Sequence, residues 1–363
     1  MSVIEKLLDD RRLPDVLRFK DGRAVTPDTW DERRAEILSI LEEEIYGKAP
    51  EAPKITVTKA DGKPRFSDFA GKAVSTELTI SFDTEKGKFS FPVAEIRPKK
   101  DGRVPVIVLV NFRSDIPDRY CPVEEIIDRG CAVLRIYYND IAFDGNDGFA
   151  GGLASMYDRS VYTWGKIRMW AWAASRVMDY LQTTDYADLD RTAVTGHSRL
   201  GKTSLVCAAF DTRFKLACAN NSGCSGDAIT RDKKGEKIRQ ITKNFPYWFC
   251  DKYRDYVDKE HELPFDQHFL VAAIAPRRVN LGAAIDDEWA DPDSQYLSAC
   301  AASRAWELLG KKGFEHPDRL PRPEEYFEEG NLCYHLRNGA HFYSRTDWLV
   351  YLDSIESMKK CDK

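Results

Sequence analysis

Short, almost continuously apolar runs alternate with amphipathic segments over most of the chain. Residues 105–112 and 131–138 are rich in β-branched side chains, which is typical of strands buried on both faces. The segment 123–129 between them has helix-like spacing, so the three predict a parallel βαβ unit. Residues 164–181 carry apolar side chains along one helical face and predict a long helix packed on the core.

The same alternation continues to the end of the chain and predicts one doubly wound sheet. Further strands are predicted at 191–195, 214–219 and 279–285, and further helices at 199–210, 293–309 and 345–359. Earlier segments predict a helix over 28–46 and an antiparallel hairpin formed by 73–82 and 88–96.

These elements predict an α/β-hydrolase fold, with a mostly parallel central sheet flanked by helices on both faces. We expect one domain over residues 1–363, with residues 1–50 as a helical extension packed on it. No repeat, low-complexity tract or linker divides the sequence.

Composition narrows the range of partners. The chain has 363 residues and a formal net charge of −5, without a stripe of lysines and arginines, which argues against nucleic acid as a partner. No apolar run approaches the roughly 20 residues of a membrane span. Nine cysteines, an odd number without a CxxC pair, fit a reducing compartment. We therefore expect a cytoplasmic protein, the alternative being an exported one whose leader has been removed.

The candidate nucleophile lies in the sequence Gly196-His197-Ser198-Arg199-Leu200-Gly201-Lys202, between a predicted strand and a predicted helix. α/β-hydrolases expose a serine at such a sharp strand-to-helix turn, where a base can reach it and the amides of the new helix face the developing oxyanion. The usual G-x-S-x-G pattern places a glycine at position 200, whereas this chain has leucine there and glycine at 201.

A serine nucleophile needs a histidine base, and the chain has six histidines. In α/β-hydrolases the base follows the serine and the acid in the chain and lies just before the last helix, which favours His341. His335, in a strand-like run, and His316, in a charged loop, are weaker candidates.

The acid is expected at the end of a late strand. Asp286, Asp287 and Glu288 all follow the predicted strand 279–285 directly, and the residues alone do not choose among them.

Metal catalysis is the competing chemistry. His261 and His268 are seven residues apart with Pro264 between them, whereas an HExxH site needs two histidines four apart on one helical face. We predict no metal and no cofactor.

Several linked motifs resemble the glucuronoyl esterases, carbohydrate esterase family 15. Over about residues 105–350 they follow one another in the family's order, and residues 44–47 (EIYG) are similar too. They are 196–202 (GHSRLGK), 221–226 (NSGCSG), 235–236 (GE), 245–249 (FPYWF), 263–268 (LPFDQH), 275–277 (APR) and 289–292 (WADP).

The resemblance implies a serine esterase that cleaves the ester between (4-O-methyl-)glucuronate and an alcohol, as in lignin–carbohydrate links of glucuronoxylan. It implies Ser198 as nucleophile, His341 as base and Arg199 as a contributor to the oxyanion site. The positions that bind the uronate in the family match Lys202, Glu236 and Trp289.

The chain departs from the fungal members at three places. Asn221 stands where many of them have the catalytic glutamate, so the resemblance moves the acid to the family's other site, which matches Asp287. His197 replaces a cysteine, which excludes a disulfide there. No glutamine between Ser222 and Glu236 matches a sugar-binding glutamine of the fungal enzymes.

Two other functions use the same features. An acetyl esterase acting on xylan, or another sugar deacetylase, would need the same triad, and a carbohydrate-binding pseudoenzyme would need none of it. We favour a monomeric enzyme acting on a small-molecule or oligosaccharide uronate ester.

Overall fold

A computed structural model of the chain describes residues 2–59, 65 and 67–358. Residue 359, the predicted end of the last helix, lies outside them. The strands are β1 (Ile55–Lys59), β2 (Ala73–Thr84), β3 (Gly87–Pro98), β4 (Val104–Asn111), β5 (Ala132–Tyr137), β6 (Ala187–His197), β7 (Leu216–Asn220), β8 (Arg278–Ala284), β9 (Glu325–Phe327) and β10 (Leu332–Arg337). The α-helices are α1 (Val3–Asp10), α2 (Trp30–Leu41), α3 (Val123–Asp128), α4 (Tyr138–Ile141), α5 (Lys166–Leu181), α6 (Arg199–Phe210), α7 (Ile238–Asn244), α8 (His268–Ala272), α9 (Pro292–Leu308) and α10 (Arg345–Ser357).

All ten strands form one sheet in the order β1-β2-β3-β5-β4-β6-β7-β8-β10-β9. The six strands from β5 to β10 in this order pair in parallel. At one edge of the sheet, β1, β2 and β3 pair antiparallel with one another and β3 with β5, and at the other edge β9 pairs antiparallel with β10. The predicted hairpin is the β2–β3 pair, and the predicted βαβ unit is β4, α3 and β5. The mostly parallel α/β sheet is therefore confirmed.

Helices cover both faces of the sheet, as predicted. Alternate side chains of β4 show the division: Val106 and Val108 belong to the larger core, while Ile107 and Leu109 belong to a smaller core on the opposite face. The larger core takes most of its helical side chains from α2, α5, α6, α8 and α9, with single residues or pairs from α1, α4 and α7, and the smaller core takes them from α3 and α10.

The first 50 residues are mainly helical and contribute to the larger core. Ile37, Ile40 and Leu41 of α2 are buried there. A π-turn at Glu42–Tyr46 extends α2 and ends at Gly47, whose positive φ of 79° closes the helix. The predicted helix over 28–46 is thus one continuous helical segment.

The carboxyl ends of the parallel strands bring four chain segments together. Ser198 follows β6 directly and Asn221 follows β7 directly, while Asp287 and His341 lie in the turns after β8 and β10. In open α/β sheets this edge is where ligands bind, so the topology alone makes these residues neighbours. In the described part of the chain, no helix is long and apolar enough to cross a membrane.

Candidate active site

Ser198 lies alone between β6 and α6 in a strained backbone conformation. Its φ of 59° and ψ of −124° are sparsely populated by residues other than glycine, and such strain persists only where the surroundings enforce it. The Ser198 amide donates to the carbonyl of Asn220 on the neighbouring strand at 2.8 Å. The turn therefore presents the hydroxyl at the carboxyl edge of the sheet, as a nucleophile elbow does.

Close backbone packing accounts for the displaced second glycine of this elbow. A Cβ atom on Gly196 would lie 2.3 Å from the carbonyl oxygen of Leu200, and one on Gly201 would lie 2.9 Å from that of Asn220. Leu200 itself is fully buried in the larger core. Positions 196 and 201 thus need glycine, while position 200 supplies a core side chain.

His341 and Asp287 form a hydrogen-bonded pair beside the serine. The Nδ1 atom of His341 lies 2.6 Å from Oδ2 of Asp287, and the side-chain amide of Asn221 donates to the same oxygen at 2.7 Å. Burial raises the pKa of the Asp287 carboxyl, but the hydrogen bonds from His341 and Asn221 outweigh it and leave that pKa below its ordinary value. Asp287 is therefore a buried, ionised carboxylate directed at the imidazole.

Burial distinguishes the three carboxylates that the sequence offered as candidates for the acid. Asp286 and Glu288 are exposed, whereas Asp287 is buried and bonded to His341. A carboxylate that orients a histidine must hold a fixed hydrogen bond to it, and only the middle residue of the three does so.

The remaining histidines have other partners. His335 is fully buried in β10 and its Nε2 lies 2.9 Å from Oδ1 of Asp347, while His316 packs against aromatic rings away from the serine. His268 donates from Nε2 to the carbonyl of Pro14, and His261 pairs with Asp232. Across residues 2–59, 65 and 67–358, no three potential metal-ligating side chains come together.

His197 packs against the ring of His341. Its ring centroid lies 4.5 Å from that of His341, and its Nδ1 lies 2.6 Å from the side-chain oxygen of Asn220. Burial, reinforced by the neighbouring His341, lowers the pKa of His197 to about 3. The His197 ring is therefore neutral at ordinary pH and adds no positive charge next to the base.

Arg199 opens α6 next to the serine and is held on two sides. Its guanidinium donates from Nη1 to the carboxylate of Asp144 and lies 4.6 Å from the ring centroid of Trp248. The backbone amide of Arg199 is one of the helix amides without a partner inside the helix, in the position where α/β-hydrolases bind an oxyanion.

A cavity of about 340 Å³ joins these groups. All seven residues proposed from the sequence line it, namely Ser198, Arg199, Lys202, Glu236, Asp287, Trp289 and His341. The other lining residues are Asn221, Ser222, Gly223, Cys224, Phe245, Trp248 and Ala290.

One end of the cavity suits a polar ring. Lys202 is buried and donates from Nζ to the carbonyl of Ser222, while Glu236 lines the same wall and Trp289 exposes 53% of its surface. Burial lowers the pKa of Lys202, and the negative charge of Glu236 opposes that change. A cation, a carboxylate and an exposed indole face are the groups that bind the hydroxyls and the ring face of a sugar.

Gly235 allows the loop bearing Glu236 to reach this wall. It has a positive φ of 65°, and a Cβ atom there would lie 2.4 Å from the carbonyl oxygen of Glu288. The amide of Glu236 donates to the carbonyl of Trp289 at 2.9 Å, which ties together the two segments that form this wall.

The sequence did not single out Asp144, the partner of Arg199. Asp144 lies in segment 139–152, which is rich in Gly, Asp and Asn, a composition that marks functional loops without indicating which residue acts. Asn221 was interpreted as the loss of a carboxylate, and the structure adds that its amide supports the carboxylate that remains.

Comparison with known proteins places these observations in one family. The model of the family described as glucuronyl esterase, fungi, matches residues 78–310. A carbohydrate esterase from an unknown prokaryotic organism is 34% identical and covers 94% of this chain and 88% of its own length. The 4-O-methyl-glucuronoyl methylesterase 1 of Wolfiporia cocos is 32% identical over 82% of this chain and 72% of its own length.

Solved structures agree with the sequence comparison. The glucuronoyl esterase from Solibacter usitatus superposes with a TM-score of 0.88 at 32% identity, covering 95% of this chain and 97% of that one. A promiscuous esterase of carbohydrate esterase family 15 from a marine bacterial metagenome superposes with a TM-score of 0.86 at 34% identity, covering 95% and 96%.

Proposed function

The chain belongs to the glucuronoyl esterase family, and from this premise we propose that Ser198, His341 and Asp287 are the triad with which it hydrolyses esters of (4-O-methyl-)glucuronate. The observation that carries the proposal is the hydrogen bond between the buried Asp287 and His341, in one cavity with the strained serine. Membership of the family makes the protein a carboxylic ester hydrolase, and the residue roles are our assignment.

Acylation begins at the serine. The Ser198 hydroxyl attacks the ester carbonyl while the Nε2 atom of His341 accepts its proton, and Asp287 holds the Nδ1 side of the ring and stabilises the imidazolium that forms. The oxyanion forms at the start of α6, where the backbone amide and the guanidinium of Arg199 stabilise it.

The tetrahedral intermediate then collapses with release of the alcohol. His341 donates its proton to the leaving oxygen, which gives the free alcohol and a glucuronoyl ester on Ser198. A water molecule, deprotonated by His341, attacks this ester through the same oxyanion contacts. Hydrolysis releases glucuronate and returns the proton to the serine.

The wall formed by Lys202, Glu236 and Trp289 selects the acyl group. An ammonium group has three donors, and the Ser222 carbonyl accepts from one of them, so the others are available to sugar hydroxyls. The Glu236 carboxylate accepts from hydroxyl groups, and the exposed indole of Trp289 packs against the ring. An acetyl group has no ring or hydroxyl to fill this wall, and the relatives support the glucuronoyl ester rather than the acetyl alternative.

A substrate panel tests the proposal. Benzyl glucuronate, benzyl galacturonate and acetylated xylan are compared with wild-type protein and with the Lys202→Met and Glu236→Gln variants. We expect glucuronate to be the preferred ester and both substitutions to lower its kcat/KM by about tenfold or more, the range for loss of a charged hydrogen bond. Faster turnover of acetylated xylan, unaffected by either substitution, would overturn the proposal.

A further inference from the structure

We propose that Asp144 is the positioning residue that fixes the guanidinium of Arg199, and that the buried ammonium of Lys166 holds Asp144 in place. The inference rests on the proposed function, since Asp144 acts through the contact of Arg199 with the oxyanion. It extends the active site to the loop between α4 and α5, which carries none of the triad residues.

Asp144 is a buried carboxylate with three donors around it. Its Oδ2 accepts from Arg199 and, at 3.3 Å, from the hydroxyl of Tyr138, while its Oδ1 accepts from Nε1 of Trp248 at 2.7 Å. Its side chain is 5% exposed, and within the described residues it is the only acidic partner of Arg199. The same carboxylate thus holds the edge of the guanidinium and the indole that covers its face.

Lys166 explains why the loop bearing Asp144 adopts this shape. Its side chain is completely buried, and its Nζ donates to the carbonyls of Phe143 and Gly145 at 2.6 and 2.7 Å. These carbonyls lie immediately before and after Asp144, and a third bond at 2.6 Å reaches Oδ1 of Asp147. A loop wrapped around a buried cation fixes the direction of the side chain between the two carbonyls.

Fixing Arg199 in advance matters because the oxyanion exists only transiently. An arginine side chain has many rotamers, and a donor that must be ordered during the reaction loses part of its effect. A donor already held at the site needs no reorganisation when the charge develops. The negative charge of Asp144 partly offsets the positive charge of Arg199. Asp144 therefore contributes by orienting the guanidinium and not by strengthening its charge.

A double-mutant cycle separates positioning from structural support. Asp144→Ala, Arg199→Ala and the double variant are assayed on benzyl glucuronate. Removing an oxyanion donor costs about 10²–10³ in kcat, and we expect Arg199→Ala to fall in that range and Asp144→Ala to lose about ten- to a hundredfold, both with little change in KM. The double variant should match Arg199→Ala alone.

Three further variants keep the test specific. Asp144→Asn retains an oxygen for Trp248 but loses the charge facing Arg199, so it should resemble Asp144→Ala. Trp248→Phe removes the indole donor to Oδ1 of Asp144 and shortens the ring beside Arg199, and it should lower kcat by less than Asp144→Ala does. Asp211→Ala removes another buried aspartate that pairs with an arginine, Arg213, and should leave kcat unchanged.

One result would contradict the role of Asp144, and another would contradict the role of Arg199. If Asp144→Ala lowers kcat by the same factor with and without Arg199, the residue supports the loop alone and the inference is wrong. If Arg199→Ala retains wild-type kcat, the proposed role of Arg199 fails first. Melting temperatures of all variants show which losses come from unfolding.

Discussion

At the scale of single residues, the identity of the acid depends on burial. Three adjacent carboxylates follow β8, and all have the right chemistry, but only Asp287 faces inward and bonds to His341. Sequence position could not decide among them because a turn directs successive side chains in different directions. The resemblance to the family favoured Asp287, and the geometry supports it independently.

Replacing the acid should separate Asp287 from its neighbours. We expect Asp287→Asn to lower kcat by about 10⁴. The amide would stabilise the wrong tautomer of His341, and it has no negative charge to stabilise the imidazolium. Asp286→Asn and Glu288→Gln are the matched controls and should retain most activity. Steady-state hydrolysis of benzyl glucuronate measures all three, and a larger loss in either control would mean that the acid is misassigned.

Buried neutral histidines predict acid sensitivity. Burial lowers the pKa of His197 to about 3 and that of His268 to about 4, whereas the unfolded chain has the ordinary value near 6.5. Between these values the unfolded state binds more protons, so the free energy of unfolding rises with pH, and the stability present above pH 6.5 is lost as the pH falls.

Urea unfolding at pH 5.0, 5.75, 6.5 and 7.5 measures this dependence. Each histidine should contribute a slope of up to about 1.4 kcal/mol per pH unit below pH 6.5. His268 is remote from the serine. The His268→Gln variant should lower the slope of the free energy of unfolding against pH by about the contribution of one proton. An unchanged slope in this variant would contradict the assignment of His268 as a buried neutral group.

At the scale of elements, the long periodic helices and the continuously apolar strands were predictable, whereas several short elements were not. The helix predicted over 199–210 is α6, with the same ends, and the strands with continuous apolar runs were found within a few residues. β1, β9, α4, α7 and α8 were not predicted, because the first four lack a continuous apolar run and the short apolar run of α8 fits a helix or a strand.

Networks of side-chain hydrogen bonds between elements also could not be predicted from the sequence. Arg337 at the end of β10 donates to the carbonyls of Asn338, Ala340 and Phe342, and so clamps the turn that bears His341. Asp347 of α10 pairs with Nε of the same arginine at 2.9 Å. No spacing rule predicts that a strand, a turn and a helix share one guanidinium.

Removing this clamp should affect catalysis as well as stability. We expect Arg337→Met to lower kcat by about tenfold to a hundredfold with little change in KM, because small misplacements of a catalytic group cost that much. Arg277 likewise donates to three backbone carbonyls, but those carbonyls lie far from His341 along the chain. Arg277→Met is therefore the matched control, and it should lower the melting temperature without lowering kcat. Equal kcat values for the two variants would contradict the clamp.

At the scale of the whole molecule, the parallel sheet explains why distant residues meet. Its carboxyl edge brings together Ser198 after β6, Asp287 after β8 and His341 after β10. The wall formed by Lys202, Glu236 and Trp289 comes from α6, the loop before α7 and the turn after β8. The fold class, the family and seven of the fourteen residues that line the cavity could be predicted from the sequence. The supporting contacts of Asp144, Asn221 and Arg337 required three-dimensional packing.

The central claim is that Ser198 becomes acylated by a glucuronate ester. Its most direct test is to quench the wild-type protein and the Ser198→Ala variant during turnover of benzyl glucuronate and to map the modified peptide by mass spectrometry. We predict a glucuronoyl group on the peptide containing Ser198 in the wild type, and neither adduct nor turnover in the variant. Turnover by the folded Ser198→Ala variant at the wild-type rate, or an acyl group on another residue, would contradict the account.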